Sequence, residues 1–158
     1  MNKKNKKTTL GWREWVQLPE LGLADIKAKV DTGARTSALH AFEVTPFEDG
    51  GRQRVEFRMH PNQRDNETVV VCVADVIDQR VVKDSGGHAE TRWVIETPVT
   101  VGADTWPIEI TLTARDDMMF RMLLGRTALK GRAIVDPGRS YLAGKKRGPR
   151  RAKADARE

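Results

Sequence analysis

The stretch KVDTGARTSALH, residues 29–40, places an acidic residue directly after an alternating apolar pattern. The apolar residues at 26, 28 and 30 alternate with lysines, which predicts a half-buried strand that ends where Asp31 begins a turn. Gly33 has no Cβ, so its amide can approach the Asp31 carboxylate while the chain reverses. Two interpretations follow. Either Asp31 caps its own turn, a common use of Asp-x-Gly, or it is a rigidly held catalytic acid.

Most of the remaining chain carries β-strand patterns. Apolar and polar residues alternate in RVEFRMH (54–60) and in WPIEITLT (106–113). The run VVVCVADVI (69–77) is more continuous, which is typical of a strand covered on both faces. One short helix is expected at Arg126–Lys130. Turns separate the segments at short intervals, so we predict an all-β barrel or sandwich of antiparallel hairpins.

Length and charge indicate one domain with two basic ends. The chain has 158 residues and a net charge of +6. The basic residues concentrate at the two ends, while residues 8–144 carry a net charge of −3. We therefore predict a disordered basic N-terminus over 1–9, a folded domain over 10–144 and a disordered basic tail over 145–158. No aromatic residues interleave the tail charges, so nucleic-acid binding is not expected.

The sequence also lacks the signals of membrane or secreted proteins. No apolar stretch has the length of a membrane span, and the basic start is not followed by the apolar segment of a secretory signal. Cys72 is the sole cysteine, which excludes an internal disulfide. A free thiol in a β-branched run fits a reducing, cytoplasmic location.

The common motifs of cofactor and nucleophile chemistry are absent. There is no GxxxxGK[ST] phosphate loop, no HExxH zinc motif and no GxSxG elbow. His40, His60, His88 and Cys72 do not form a ligand pair on one strand or helix face. We therefore expect no bound cofactor.

Asp31 needs a second carboxylate if it is catalytic. Two carboxylates at hydrogen-bond distance share one proton, so one can activate water while the other protonates a leaving group. Asp-Thr-Gly occurs once in the chain. The second acid must therefore come from another copy, which predicts a homodimer.

Val-Asp-Thr-Gly-Ala (30–34) and Leu-Leu-Gly-Arg (123–126) together resemble the two signatures of retropepsin-like aspartic proteases. The resemblance implies a closed β-barrel, active as a homodimer, with a short helix after the second motif. It also implies a role for each matching position. Asp31, Thr32 and Gly33 would be catalytic, Ala34 and Arg35 would contact substrate, and Ser37, Leu124, Gly125 and Arg126 would support the active-site loop.

A longer resemblance covers residues 10–144. The stretches DTGARTSALHA (31–41), RWVIETPVTVG (92–102), MLLGRTALKG (122–131) and VDPGRSYLAG (135–144) are similar to a bacterial family labelled ATP-dependent zinc proteases. That label implies zinc, which the ligand spacing in this chain does not support. Some relatives are associated with ATP-grasp ligases that add glutamate, which implies such a ligase, or its glutamylated product, as partner or substrate.

The chain departs from the retropepsin pattern at two arginines. Arg35 stands where those proteases usually have an acid or amide, and an inward-turned guanidinium would depress the shared pKa of the two aspartates. The usual partner of the second-motif arginine is missing, which leaves Asp116, Asp117 or Asp136 to pair with Arg126. Two glycine-tipped hairpins, at Gly50-Gly51 and Gly86-Gly87, are candidates for the flap over the site.

These observations give three functional hypotheses. The first is a homodimeric aspartic endopeptidase that cleaves a peptide or protein substrate. The second is a non-catalytic retropepsin-like module that binds an ATP-grasp glutamate ligase. The third is the zinc-dependent peptidase that the family label implies.

Overall fold

The computed structural model describes residues 7–83, 86–114 and 119–145. These residues form eleven strands and one short α-helix, with a single 3₁₀ turn at Pro19–Leu21. The strands are β1 Thr8–Leu10, β2 Arg13–Leu18, β3 Leu23–Asp31, β4 Ser37–His40, β5 Phe42–Asp49, β6 Arg52–Met59, β7 Val70–Lys83, β8 Ala89–Val101, β9 Asp104–Thr113, β10 Met122–Gly125 and β11 Ala133–Val135; the helix is α1 Arg126–Leu129. The all-β prediction with one helix after Leu-Leu-Gly is confirmed.

Nine strands form one sheet in the order β2-β3-β10-β4-β9-β8-β7-β6-β5. An additional pair, Gln17 with Thr100, connects β2 to β8 and brings the first strand of the sheet back against its sixth. β1 and β11 form a separate two-stranded parallel sheet. The expectation of antiparallel hairpins alone was wrong, because β3–β10 and β4–β9 are also parallel pairs. These pairs join segments far apart in sequence, which no local turn signal reveals.

The core lies under the apolar face of the alternating strands. Val55, Phe57 and Met59 of β6 are fully buried, as period-two alternation requires. Ile26 and Ala28 of β3 and Ile110 of β9 join the same cluster.

The strand β7 differs from its prediction. It is longer than the apolar run 69–77, and it is covered on one face only, because Val71 and Ile77 are 50% and 43% exposed. Cys72 and Ala74 point into the core on the other face. A continuous apolar run therefore does not mark a doubly covered strand here.

A buried carboxylate ties the C-terminal segment to β2. Glu14 is fully buried, and its oxygens accept hydrogen bonds from the amides of Gly11, Leu142 and Ala143 at 2.6, 2.9 and 2.9 Å. Three N–H donors replace the water that the carboxylate group loses on burial. Glu14 thereby holds the segment that follows β11 against the opposite end of the chain.

The predicted domain limits fall partly within the described residues. β1 begins at Thr8, so two residues of the predicted N-terminal tail lie in a strand. The C-terminal tail beyond residue 145 and the acids Asp116 and Asp117 lie outside the described residues. Within the described ranges, no helix has the length and apolarity needed to span a membrane.

Candidate active site

Asp31 is the last residue of β3, and the parallel strand β10 ends at the same level. It lies in register with Gly125 of the parallel strand β10. Val30 and Leu124, the preceding pair in this register, are both buried. The core thus fixes the backbone up to Asp31, while the Asp31 side chain itself is partly exposed.

The residues after Asp31 form a tight turn around its carboxylate. Asp31 Oδ1 accepts a hydrogen bond of 3.0 Å from the amide of Gly33, and the Asp31 carbonyl accepts one of 3.2 Å from the amide of Ala34. A Cβ at position 33 would lie 3.3 Å from Asp31 Oδ1, closer than ordinary contact. Glycine therefore allows the amide to orient the carboxylate, as the sequence predicts.

The start of α1 holds this turn from behind. The amides of Arg126 and Thr127 donate to the carbonyls of Ala34 and Arg35 at 2.7 and 3.0 Å. The Arg126 side chain donates from Nη1 to the carbonyl of Thr32 at 3.0 Å. Three hydrogen bonds therefore connect the Asp-Thr-Gly turn to a segment more than ninety residues later in the chain.

Ser37 and Gly125 form a further, buried contact between the two motifs. The buried Ser37 hydroxyl accepts a hydrogen bond of 2.9 Å from the Gly125 amide. A Cβ on Gly125 would lie 2.6 Å from the carbonyl carbon of Thr36, so the backbones pack too closely for any side chain. The structure thus brings together the residues that the two motifs contribute.

The two arginines take positions that the sequence left open. Arg126 donates to the Thr32 carbonyl, and it makes no ion pair with Asp136 in the described part of the chain. Asp136 instead accepts a hydrogen bond of 3.0 Å from the Gly138 amide, within its own turn. Arg35 is exposed and makes no ion pair with Asp31 within one chain.

Beside the turn lies an open groove of about 830 Å³. Its polar lining consists of Thr32, Arg35, Arg126, Thr127 and Lys130, and its apolar lining comes from Leu129, Ala133, Val135 and Pro137. The groove therefore carries cations and no acid on its described wall.

A smaller pocket, of about 340 Å³, was not predicted from the sequence. It is lined by Lys29, Ala38, Arg92, Thr113, Met119, Phe120 and Leu123. Lys29 lies two residues before Asp31 on β3, so both side chains project from the same face of the strand. That spacing is the signal in the sequence that could have placed the Lys29 side chain on the same face as Asp31.

The residues do not fit a zinc site. No group of three His, Cys, Asp or Glu side chains comes together among residues 7–83, 86–114 and 119–145. His60 Nδ1 makes a 3.0 Å hydrogen bond with the Thr68 carbonyl. Burial raises the pKa of the Cys72 thiol to about 12, which opposes the thiolate form that zinc binds.

Comparisons with known proteins agree with this geometry. The model of the RimB-like family, described as retropepsin-like aspartic endopeptidase RimB, matches residues 9–146. A crystal structure of Lpg0085, a Legionella pneumophila protein of unknown function (DUF785), covers 87% of this chain and 99% of its own, with a TM-score of 0.74 at 24% identity. That likeness shows a shared fold.

Curated relatives carry a different name. A probable alpha-L-glutamate ligase from Desulfotalea psychrophila is 49% identical over 83% of this chain, and one from Parasynechococcus marenigrum is 47% identical over 88%. The match covers only 28% and 30% of those two proteins, so the chain spans less than a third of their length. None of these comparisons supports the label of ATP-dependent zinc protease. The family match over residues 9–146, with the Asp-Thr-Gly turn held by Leu-Leu-Gly-Arg, shows that this chain belongs to the RimB-like family of retropepsin-like proteins.

Proposed function

We propose that the protein is an aspartic endopeptidase in which two copies of Asp31, one from each subunit of a homodimer, activate the attacking water. The observation that carries this proposal is the fixation of Asp31 by Gly33 on one side and by the β10–α1 segment behind it. A carboxylate that only caps a turn does not require hydrogen bonds from a segment more than ninety residues away.

The homodimer follows from the chemistry of a single carboxylate. Two adjacent carboxylates share a proton, so one acts as general base toward water and the other as general acid toward the leaving group. Thr32 and Gly33 are exposed, which leaves the Asp31 turn open for a second copy. β1 and β11 also form a separate two-stranded sheet, on which Ile134 is 56% exposed. An exposed strand of this kind favours pairing with another chain.

We infer a retropepsin-like closed barrel for the strands that hold the turn. The pair Gln17–Thr100 supports closure, because it joins the strands at the two ends of β2-β3-β10-β4-β9-β8. Closure would keep the backbone at Asp31 rigid. The buried free thiol of Cys72 also supports our proposal of a cytoplasmic location.

The test compares the same substitution at two aspartates that have the same local geometry. Asp136 and Asp31 each accept a 3.0 Å hydrogen bond from the amide of a glycine two residues later. Asp31→Asn should abolish cleavage of a randomised peptide library, while Asp136→Asn should retain it. Sedimentation equilibrium should find a homodimer for both variants. Cleavage by a homogeneous Asp31→Asn preparation would exclude this mechanism.

A second candidate function rests on the curated relatives. They are named probable alpha-L-glutamate ligase, and this chain matches less than a third of their length. The alternative is therefore a non-catalytic module that binds an ATP-grasp glutamate ligase. A monomer that binds the purified ligase and cleaves no peptide would establish this alternative; cleavage that depends on Asp31 would exclude it.

A further inference from the structure

We propose that a surface of cations and aromatic rings on β2 and β3, called here the Trp15 platform, binds single-stranded nucleic acid. The platform consists of Arg13, Trp15, Lys27 and Tyr141, with Trp12 at one end. Arg13 and Lys27 bind phosphates, and the rings of Trp15 and Tyr141 stack on bases. This binding is independent of the proposed peptidase function. It is supported by the alternation of the groups, by their unpaired charge and by the backbone at Tyr141.

The platform alternates positive charges with rings. The guanidinium carbon of Arg13 lies 4.6 Å from the ring centroid of Trp12 and 5.0 Å from that of Tyr141. Tyr141 stacks beside Trp15, and Lys27 Nζ lies 5.4 Å from the Trp15 ring centroid. A single strand offers both phosphates and free base faces, so cations interleaved with rings match it. The basic tails carry charges without such rings, whereas this part of the folded domain has both.

The register of the two strands places these groups on one outer face. Trp15 of β2 lies directly opposite Lys27 of β3, so both side chains project to the same side of the sheet. Glu14 and Val16, which alternate with Arg13 and Trp15 along β2, are buried. Arg13, Trp15 and Lys27 are themselves only partly buried. The platform is therefore accessible to a ligand, while its strands are anchored in the core.

The two stacked rings leave space for a base. The planes of Trp15 and Tyr141 are inclined by 17°, and their centroids lie 6.0 Å apart. Nearly parallel rings at this separation are offset and overlap only in part. Part of each ring face is thus free to stack on a base. Stacking of this kind requires unpaired bases, which favours a single strand over a duplex.

The cations of the platform are not neutralised. Arg13 and Lys27 form no ion pair within the described ranges of the chain. The Nε of Arg13 donates to the hydroxyl of Ser140 at 3.1 Å, which is an uncharged partner. The acids that neighbour these cations on β2 and β3, Glu14 and Asp25, are both buried. The positive charge is therefore available to an anionic ligand, and a phosphate backbone supplies the complementary charge.

The backbone holds Tyr141 in place at a cost. Tyr141 has a φ of +55°, a left-handed conformation that is unfavourable for a bulky residue, so its surroundings must maintain it. Its amide donates to the carbonyl of Arg13 at 3.0 Å. Glu14 fixes the next two amides from the inside of the fold, so the outward ring is not needed to anchor this segment. A strained residue with an exposed ring is typical of a binding surface.

Polarisation measurements on the full chain test the proposal. The probes are fluorescein-labelled oligo-uridylate, oligo-thymidylate and an abasic strand, each of about ten nucleotides. The abasic strand keeps the phosphates and lacks the bases. Both base-carrying strands should bind at least about tenfold more tightly than the abasic strand, as stacking of one or more bases predicts. Tighter binding of one of them would support the proposal and identify RNA or DNA as the ligand. Equal affinity for all three strands would mean that charge alone attracts them, and it would overturn the proposal.

Substitutions on the platform separate bases from phosphates. Trp15→Leu should remove most of the preference for base-carrying strands and leave the affinity for the abasic strand unchanged. Trp15→Phe keeps an aromatic face and should retain the preference. Lys27→Met should weaken all three strands equally and reduce the slope of log affinity against log salt by about 0.7. An unchanged preference in Trp15→Leu would overturn the proposal.

Matched controls lie outside the platform. Trp93→Leu replaces a half-buried tryptophan of β8, and Lys83→Met replaces an exposed lysine at the end of β7. Both variants should bind the three strands as the wild type does, and losses equal to those of Trp15→Leu and Lys27→Met would overturn the proposal. Labelled hexaglutamate provides the last comparison. If Trp15→Leu weakens hexaglutamate as much as oligo-uridylate, the platform binds acidic peptides instead, and the proposal is overturned.

Discussion

The hydroxyl of Ser37 accepts a 2.9 Å hydrogen bond from the amide of Gly125, a residue 88 positions later in the chain. Both residues are buried, and the bond lies directly behind the Asp31 turn. It connects the two sequence motifs through a buried side-chain hydroxyl.

Removing that hydroxyl should weaken the fold measurably. Ser37→Ala leaves the buried Gly125 amide without an acceptor, so we expect the free energy of unfolding to fall by about 1–3 kcal/mol. Urea denaturation measures the loss. Thr105→Ala is the control, because its hydroxyl bonds to Thr100 on an exposed surface, and it should change stability by less than about 0.5 kcal/mol. Equal effects of the two substitutions would contradict a buried role for Ser37.

Adding a methyl group at position 125 should be more damaging. The Cβ of Gly125→Ala would meet backbone atoms of Thr36 and Ser37 at 2.6–2.8 Å, and these atoms cannot rotate away. We expect at least about 3 kcal/mol of destabilisation or an insoluble protein. Gly138→Ala is matched, since its Cβ would lie 3.6 Å from the nearest atom, and it should be nearly neutral. Thermal denaturation compares the two.

Glu14 should be essential for holding the C-terminal segment. In Glu14→Gln, one oxygen acceptor becomes an NH₂ donor that faces backbone amides, so we expect a loss of about 3 kcal/mol. Limited proteolysis should then cut near Leu142 and Ala143, whose amides lose their partner. Glu20→Gln is the control because Glu20 is exposed, and the protease should cleave this variant at the wild-type rate. If the segment in Glu14→Gln resists the protease as it does in the wild type, other contacts are sufficient to hold it.

The single thiol provides a test of burial through pH. Burial raises the pKa of Cys72 to about 12, above its value of about 8.5 in an unfolded chain. Because alkylation requires the thiolate, iodoacetamide at pH 8.5 should label the native protein about a thousandfold more slowly than the guanidinium-unfolded protein. Mass spectrometry follows the labelling.

The same shift predicts the sign of a stability change. The unfolded thiol loses its proton first as the pH rises, so the contribution of the neutral, buried Cys72 is complete below about pH 8.5 and is lost progressively toward pH 12. Cys72→Ala should remove this alkaline dependence. If the free energy of unfolding changes with alkaline pH equally in the wild type and in Cys72→Ala, this prediction is contradicted.

Local chemistry made part of the site predictable. The turn at Asp31 requires a residue without Cβ two positions later, and the helix at Arg126 follows a strand and a glycine, so both are visible in short windows of sequence. The alternation in β6 is visible for the same reason, since the period of a strand is two residues.

Longer-range features were not predictable in this way. The insertion of β10 between β3 and β4 depends on pairing partners far apart in the chain. The bond from Arg126 to a carbonyl, where an acid was expected, depends on the course of the backbone at Thr32. The pocket that joins Lys29 to Arg92 combines β3 and β8, whose proximity no periodicity encodes.

The distance in sequence between Ser37 and Gly125 also has a consequence for synthesis. Because chains emerge at about 5–20 residues per second, a nascent chain carries Asp31 for roughly 5–20 seconds before Gly125 and Arg126 leave the ribosome. During that interval the Asp-Thr-Gly turn has none of the hydrogen bonds that fix it from behind. A chain whose translation stops before residue 125 therefore never gains these bonds, and the completed site is restricted to chains that have been translated beyond Arg126.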